Sequence, residues 1–165
     1  MAATCTSCGA QSTGLRTTSP RPVAQSVTAA ACVLVQQVDA NGLFAQNAVR
    51  VAVENKARAA SVCGYSANST VDPNTIDNIT NSLLVYVYDG STHFTQAKAD
   101  DRKPIAGLGD EAFRVVRGDL LSVAFTAKGQ SVEIDYSITG LGPHPSAGSF
   151  ADSLIALARR AAERM

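Results

Sequence analysis

Hydrophobic and polar positions alternate strictly in two neighbouring stretches, 121–125 and 131–138. The apolar positions are Leu121, Val123, Phe125, Val132, Ile134, Tyr136 and Ile138. Opposite them on the second stretch lie Ser131, Glu133, Asp135 and Ser137. A turn at 127–130 that contains Gly129 separates the stretches. The pattern therefore predicts an antiparallel pair of strands with one buried and one solvent-exposed face.

The most hydrophobic stretch is 83–88, with the sequence Leu-Leu-Val-Tyr-Val-Tyr. Because its odd and even positions are both apolar, it predicts a central strand that is covered on both faces. Shorter strands are expected at 49–53, at 61–67 and directly after Phe113. The segment 68–81 is rich in Asn, Ser, Thr and Asp and contains a proline, which predicts a loop.

Three helices are expected, near 39–46, 91–100 and 149–165. Asp39 is a candidate N-cap of the first helix, which Gly42 weakens. The third helix has apolar residues at helical spacing, namely Phe150, Leu154, Leu157, Ala158, Ala161 and Met165. We expect an α+β fold, an antiparallel sheet of about four to five strands with about three helices packed mainly on one face.

The chain divides into two regions by composition. Residues 1–28 are rich in Ser, Thr, Gly, Pro and Gln and show no sustained apolar period. Such a stretch buries too little surface to offset its ordering entropy, which predicts a flexible tether. Residues 29–165 are expected to form a single domain.

Charge and hydropathy exclude some classes of partner. Fourteen basic residues balance fourteen acidic ones, so no overall field favours nucleic acid or an anionic membrane. No stretch approaches the ~20 apolar residues that span a bilayer. Charged residues make up 17% of the chain, and small polar residues are plentiful. This composition is typical of exported bacterial proteins.

Four motifs together resemble a known family. They are Cys32-Val33-Leu34, Cys63-Gly64-Tyr65, a strand that ends in Tyr88-Asp89-Gly90, and Gly-Leu-Gly-Asp-Glu-Ala-Phe at 107–113. With the closing hairpin and helix they resemble an actinobacterial family of small exported lipoproteins, each with a single domain of unknown function. The resemblance covers roughly residues 30–165.

The resemblance implies an extracytoplasmic location, secreted or associated with the cell envelope, and a structural disulfide between Cys32 and Cys63. The alternative is two buried free thiols in a cytosolic protein. It also makes Cys5 a candidate lipidation site, so that a lipid anchor would be the contact with a membrane. Residues 1–4 lack the basic region and apolar run of a signal peptide, so we expect the export signal to be missing from this sequence.

Cys5 and Cys8 also have the spacing of a redox motif or half of a zinc site. Neither His93 nor His144 has a partner at metal-ligand spacing. Lipidation of Cys5, or a disulfide between Cys5 and Cys8, is therefore favoured over metal binding or redox catalysis. We expect no metal and no cofactor.

The glycine motif invites two interpretations. Asp110 and Glu111 are candidates for acid–base chemistry, but adjacent residues on an extended chain point to opposite faces. We therefore expect a turn formed by Gly107 and Gly109, in which the carboxylate of Asp110 accepts hydrogen bonds from backbone amides.

No motif predicts an enzyme. We expect a non-enzymatic exported or envelope-associated binding domain whose ligand is a lipid or another apolar small molecule. Candidate pocket residues are Phe44, Tyr86, Tyr88, Phe94, Phe113 and Phe125; the alternative is that they form an ordinary core. The other hypothesis is a protein–protein interaction module, with another envelope protein bound at a sheet edge or at the proline-rich loop 143–145.

Overall fold

Seven antiparallel strands form one sheet in the computed structural model of the chain, which describes residues 30–70, 78–96, 101–141 and 143–165. The strands are β1 Val49–Val51, β2 Ser61–Thr70, β3 Asn78–Asp89, β4 Lys103–Pro104, β5 Glu111–Arg117, β6 Leu120–Ala127 and β7 Gln130–Gly140. Their order across the sheet is β1-β2-β3-β7-β6-β5-β4. The helices are α1 Ala31–Leu34, α2 Gln37–Phe44, α3 Thr92–Gln96 and α4 Ala151–Glu163, with a 3-10 turn at Ala147–Phe150.

The antiparallel α+β prediction is confirmed, but the numbers of strands and helices were too low. β1, β4 and α1 are two to four residues long, and elements this short show no readable period. The predicted loop at 68–81 was also too long, because β2 runs to Thr70 and β3 begins at Asn78. The predicted tether with Cys5 and Cys8, the rest of that loop, and residues 97–100 of the second predicted helix lie outside the described residues.

β3 and β7 join the two halves of the sheet, with Leu83 opposite Tyr136 and Val85 opposite Ile134. The side chains of Leu83, Val85 and Val87 are fully buried on one face of β3, whereas Leu84 and Tyr86 on the other face are only half-buried. β3 is thus interior in the sheet, as predicted, and fully covered on one face. The fully buried face is called the core face here, and the opposite one the second face.

α1, α2 and α4 pack on the core face, and α3 packs on the second face. α4 contributes Leu154, Leu157, Ala158 and Ala161 to the core, at the helical spacing read from the sequence. These residues form the apolar stripe by which α4 packs on the core face, and the prediction that the helices lie mainly on one face is confirmed. α3 is the exception, since its Phe94 packs with Phe113 on the second face.

Asp39 joins the two ends of the domain. α2 begins two residues earlier than expected, and its N-cap is Gln36 rather than the predicted Asp39, which is instead the capping-box partner. The Asp39 carboxylate, only 6% exposed, also accepts hydrogen bonds from Arg160 and Arg164 of the C-terminal segment. Burial by itself raises the pKa of Asp39, but the bonds from Arg164, the Gln36 N–H and Arg160 hold that pKa below its usual value.

Candidate functional site

The second face was predicted to be exposed to solvent at the strand pair 121–138 and covered at the strand 83–88; in the structure α3 covers part of this face. His93 Nε2 lies 2.9 Å from Glu133 Oε2, and the His93 ring stacks on Tyr88 with 3.7 Å between ring centroids. One residue later, the Phe94 ring lies 4.9 Å from that of Phe113. Two successive side chains of one short helix therefore attach it to β3, β7 and β5.

Arg102 contacts the same pair of aromatic residues, Phe94 and Phe113. Its guanidinium lies 3.7 Å from the centroid of the Phe113 ring and donates a hydrogen bond to the Phe94 carbonyl oxygen at 3.2 Å. A cation over an aromatic face is attracted by the negative charge of the ring face. The chain on either side of 97–100 is thus held to the same two aromatic rings.

Asp135 is the most perturbed carboxylate on the second face. It lies on β7, opposite Leu84 of β3 on one side and Ser122 of β6 on the other. Burial raises the pKa of Asp135 to about 6, and the negative charge of nearby Glu133 acts in the same direction. A hydrogen bond with Ser122 and the charge of His93 oppose this shift but do not cancel it.

Burial also raises the pKa of the neighbouring Tyr86 and Tyr88 hydroxyls, and the charges of Glu133 and Asp135 add to the effect. We call the six residues His93, Glu133, Asp135, Tyr86, Tyr88 and Ser122 the polar cluster. The polar cluster thus combines two carboxylates, an imidazole, two phenols and a hydroxyl on one face of the sheet, and burial raises the pKa of Asp135, Tyr86 and Tyr88 among them.

Asp135 Oδ1 is buried without a hydrogen-bond partner among the described residues, whereas the Tyr88 hydroxyl interacts with the Glu133 carboxylate without meeting the geometry of a full hydrogen bond. Tyr88 is only 6% exposed. A buried polar atom without a partner costs about 1–3 kcal/mol. The polar cluster is consequently not a fully satisfied structural network.

The structure does not assemble the six aromatic residues predicted to line one pocket. Phe44 and Phe125 are in the main core on the core face, whereas Phe94 and Phe113 form a separate cluster on the second face. Tyr86 and Tyr88 stack on each other on that second face, with 6.4 Å between ring centroids. Phe113 is paired with Ala124 and Phe125 with Ala112, so these two rings lie one register position apart on β5 and β6 and on opposite faces of the sheet.

The cysteine pair proposed from the resemblance is joined in the structure. Cys32 in α1 and Cys63 in β2 form a disulfide with 5.2 Å between their Cα atoms. A hydrogen bond from the Ala31 N–H to the Ser61 hydroxyl holds the same two elements together. The disulfide is consistent with an extracytoplasmic location.

Gly107 and Gly109 both have positive φ, at +67° and +59°. A Cβ at Gly109 would lie 2.2 Å from the Thr126 carbonyl oxygen. That close approach lets the Asp110 N–H donate a 2.7 Å hydrogen bond to this carbonyl. The carboxylate of Asp110 is exposed, so the hydrogen bond seen in the turn belongs to the backbone of Asp110.

The sheet edge at β1 is the second feature with functional potential. On β1, Val49 is 61% exposed and Val51 36% exposed. Arg50 between them is exposed and forms no ion pair with a described residue. β1 pairs with β2 only as far as Ser66, and the described chain places no further strand beside Ala67 to Thr70.

An open depression of about 470 Å³ adjoins this edge and is lined by Cys32, Arg50, Val51, Ala52, Val53, Val62, Cys63 and Gly64. Gly64 allows the chain after β1 to come close, since a Cβ there would lie 2.3 Å from Val53 Cγ2. The opposite edge differs, because β4 consists of Lys103 and Pro104. Lysine and proline both discourage strand addition.

Sequence reasoning missed the polar cluster. His93 and Glu133 are 40 residues apart, and no local spacing links them. The available signal was the pair of acidic residues Glu133 and Asp135 at polar positions of a strand whose alternate positions are apolar.

Searches among family models, characterised proteins and solved structures find no match to this chain. No described helix has the length and apolar character needed to cross a membrane. In the described ranges, no group of three or more His, Cys, Asp or Glu side chains is arranged to hold a metal ion. Fold and site thus define an α+β domain with an antiparallel sheet, an open edge and a partly buried polar cluster.

Proposed function

We propose that the protein is a non-enzymatic binding domain, exported or associated with the cell envelope, that binds a partner protein along the β1 edge of its sheet. The observation that carries the proposal is the exposed, weakly protected edge of β1 and the end of β2. Unpaired backbone groups on such an edge accept an extended segment of another chain as an additional strand.

The side chains of β1 indicate the chemistry of that segment. Val49 and Val51 point to the second face, and Arg50 points to the core face, opposite Tyr65. A complementary strand would place apolar residues beside the two valines and an acidic residue beside Arg50. A second copy of this chain in antiparallel register centred on Arg50 would bring two arginines together, which is unfavourable.

The lipid or apolar-ligand form of the hypothesis has less support. Its six candidate residues divide between two faces of the sheet, so they offer no common apolar surface to one ligand. The loop at 143–145 exposes Pro143 and Pro145, but no exposed hydrophobic strand edge accompanies it. We therefore place the binding surface at β1.

Site-specific photo-crosslinking in the native host tests this function. A crosslinking residue at Val49 should capture one defined envelope protein, whereas the matched position Val38, an exposed valine of α2 (67% exposed), should not. Arg50→Glu should reduce the yield at Val49 at least about tenfold, because it replaces an attraction by a repulsion. Equal capture at both positions, or an unchanged yield in Arg50→Glu, would refute the proposal.

Native mass spectrometry of the same material separates the two forms of binding. A stoichiometric co-purifying lipid, with no protein captured at Val49, would favour the small-molecule function instead.

A further inference from the structure

An open depression of about 420 Å³ lies between α4 and the edge of the sheet that β4 and β5 form. Its apolar lining comes from Ile105 and Ile155, which are half-buried and pack against the main core. A hydrogen bond from the Ile105 N–H to the Ala112 carbonyl oxygen holds the chain after β4 against β5. The depression therefore has an apolar floor between a helix and a strand edge that the fold holds in place.

Two arginines line the same depression, Arg114 from β5 and Arg159 from α4. Arg114 pairs with the fully buried Val123 of β6, so its side chain lies on the core face. It is half-buried, yet its guanidinium forms no hydrogen bond or ion pair with a described residue. The Arg159 guanidinium donates a long hydrogen bond of 3.4 Å to the Ala106 carbonyl oxygen. Both arginines thus have donors available for a ligand.

Lys103 adds a third positive charge at this edge. It is paired with Arg114 in the β4–β5 register, so the two side chains share one face. Like charges in directly opposed positions are unfavourable. Protection of the edge against strand addition accounts for the lysine, but not for the arginine beside it. The carboxylate of Asp152 also lines the depression and forms no ion pair with a described cation, so three cations face one carboxylate.

The residues of α4 follow one another along the depression in an order that suits a ligand with one charged and one apolar end. Residues three and four positions apart lie on one side of a helix, which places Asp152, Ile155 and Arg159 in a row. An anionic group is attracted to the Arg159 end of this row and repelled from the Asp152 end. An apolar group attached to it would lie beside Ile155.

We propose that this depression binds a phosphate monoester that carries an apolar substituent. A guanidinium donates two parallel hydrogen bonds to a phosphate group, which an ammonium does not. A phosphate monoester carries a charge of about −1.5 to −2 at neutral pH, and this charge balances the excess of two cations better than a single carboxylate does. The site is independent of binding at β1, because β1 and β4 are the opposite edges of the sheet.

Titration of the ¹⁵N-labelled protein with phenyl phosphate, followed by NMR, tests the proposal. The amide signals of residues 104–106, 114 and 155–159 should shift and saturate. Benzyl alcohol, which has no charge, should not saturate these shifts. Phenylacetate, which has one negative charge, should bind at least about tenfold more weakly than phenyl phosphate. Equal binding of phenylacetate, or no saturable shift with phenyl phosphate, would overturn the proposal.

Arg114→Gln and Arg159→Gln should each weaken the binding of phenyl phosphate at least about tenfold, because each removes a charged donor. Arg58→Gln is the matched control, since Arg58 is an exposed arginine outside the depression, and it should bind like the native protein. Asp152→Asn keeps both guanidiniums and should bind more tightly, because it removes a carboxylate that repels the anion. Native affinity in both arginine variants, or weaker binding in Asp152→Asn, would contradict the assignment.

Vesicle co-sedimentation distinguishes a lipid headgroup from a soluble ester as the source of the phosphate. The headgroup of phosphatidic acid is a phosphate monoester, whereas that of phosphatidylglycerol is a diester with one charge. Co-sedimentation with vesicles that contain phosphatidic acid, but not with vesicles that contain phosphatidylglycerol, would identify a lipid ligand. Saturable binding of phenyl phosphate without co-sedimentation would identify a soluble ester.

Discussion

Replacement of Cys32 and Cys63 by alanine removes the covalent link between α1 and β2. The two cysteines are 31 residues apart. For a loop of that length, the chain-entropy relation gives about 12 cal/mol/K, or about 3.7 kcal/mol at room temperature. We expect the double variant to lose about 3–4 kcal/mol of unfolding free energy, and its melting temperature to fall by about 7–15 °C.

Urea unfolding followed by far-UV circular dichroism measures this loss, and the native protein with its disulfide reduced should behave like the double variant. Ser61→Ala is the matched control, because it removes the hydrogen bond between the same elements but leaves the disulfide intact. It should cost about 1 kcal/mol. A loss below about 1 kcal/mol in the double variant would show that the link does not restrict the unfolded chain as the relation assumes.

Three further changes have defined outcomes. Asp39→Asn should lower the unfolding free energy by about 3 kcal/mol at pH 7, because it leaves Arg164 without its buried partner. Thermal unfolding should show that this loss becomes smaller toward pH 3. The pKa of Asp39 is lowered in the folded protein, so the stabilisation by its carboxylate disappears only as pH falls through that pKa. An equal loss at both pH values would contradict the ion-pair account. Gly109→Ala should lower the unfolding free energy, measured with urea, by more than about 2 kcal/mol, because Gly109 has positive φ and lies close to Thr126. Gly118→Ala is the control and should cost less, since Gly118 also has positive φ but no atom within 4 Å of an added Cβ. Similar losses in the two variants would indicate that φ alone matters. Asp135→Asn should raise the unfolding free energy at pH 8 by up to about 3 kcal/mol, the free energy that corresponds to the rise of the Asp135 pKa to about 6. The gain should vanish near pH 4, where the carboxyl is protonated in the folded protein. A loss of stability at pH 8 would refute the inference that burial of the ionised carboxylate is unfavourable.

The elements with a sustained pattern were predictable from the sequence. β6 and β7 follow the alternation at 121–138, and α4 follows the helical spacing at 150–165. In each element the apolar side chains recur on the side that packs against the core. β3 was predicted from a continuous apolar run, and β1 and β2 were found approximately. The disulfide came from the resemblance of the cysteine motifs to a family, and the structure joins that pair.

The features that no local sequence pattern predicted depend on which strands become neighbours in the sheet. α3 was expected as a helix from about 91, but its position on the second face could not be read, because a short segment with one aromatic anchor fits either side of a sheet. The pairing of β3 with β7 brings Glu133 beside Tyr86, and α3 then places His93 against Glu133 and the Tyr88 ring.

The sequence by itself determined the fold class, the buried face of the long strands and the closing helix, because these depend on the repeat of apolar residues along one element. Tertiary structure alone decided that Asp39 meets Arg160 and Arg164 from the other end of the chain, and that His93 of α3 meets Glu133 and Tyr88 on the second face. It also decided that six aromatic residues divide between two faces. Charges and rings act through space, and a periodic pattern does not record which distant residues come within a few ångströms of each other.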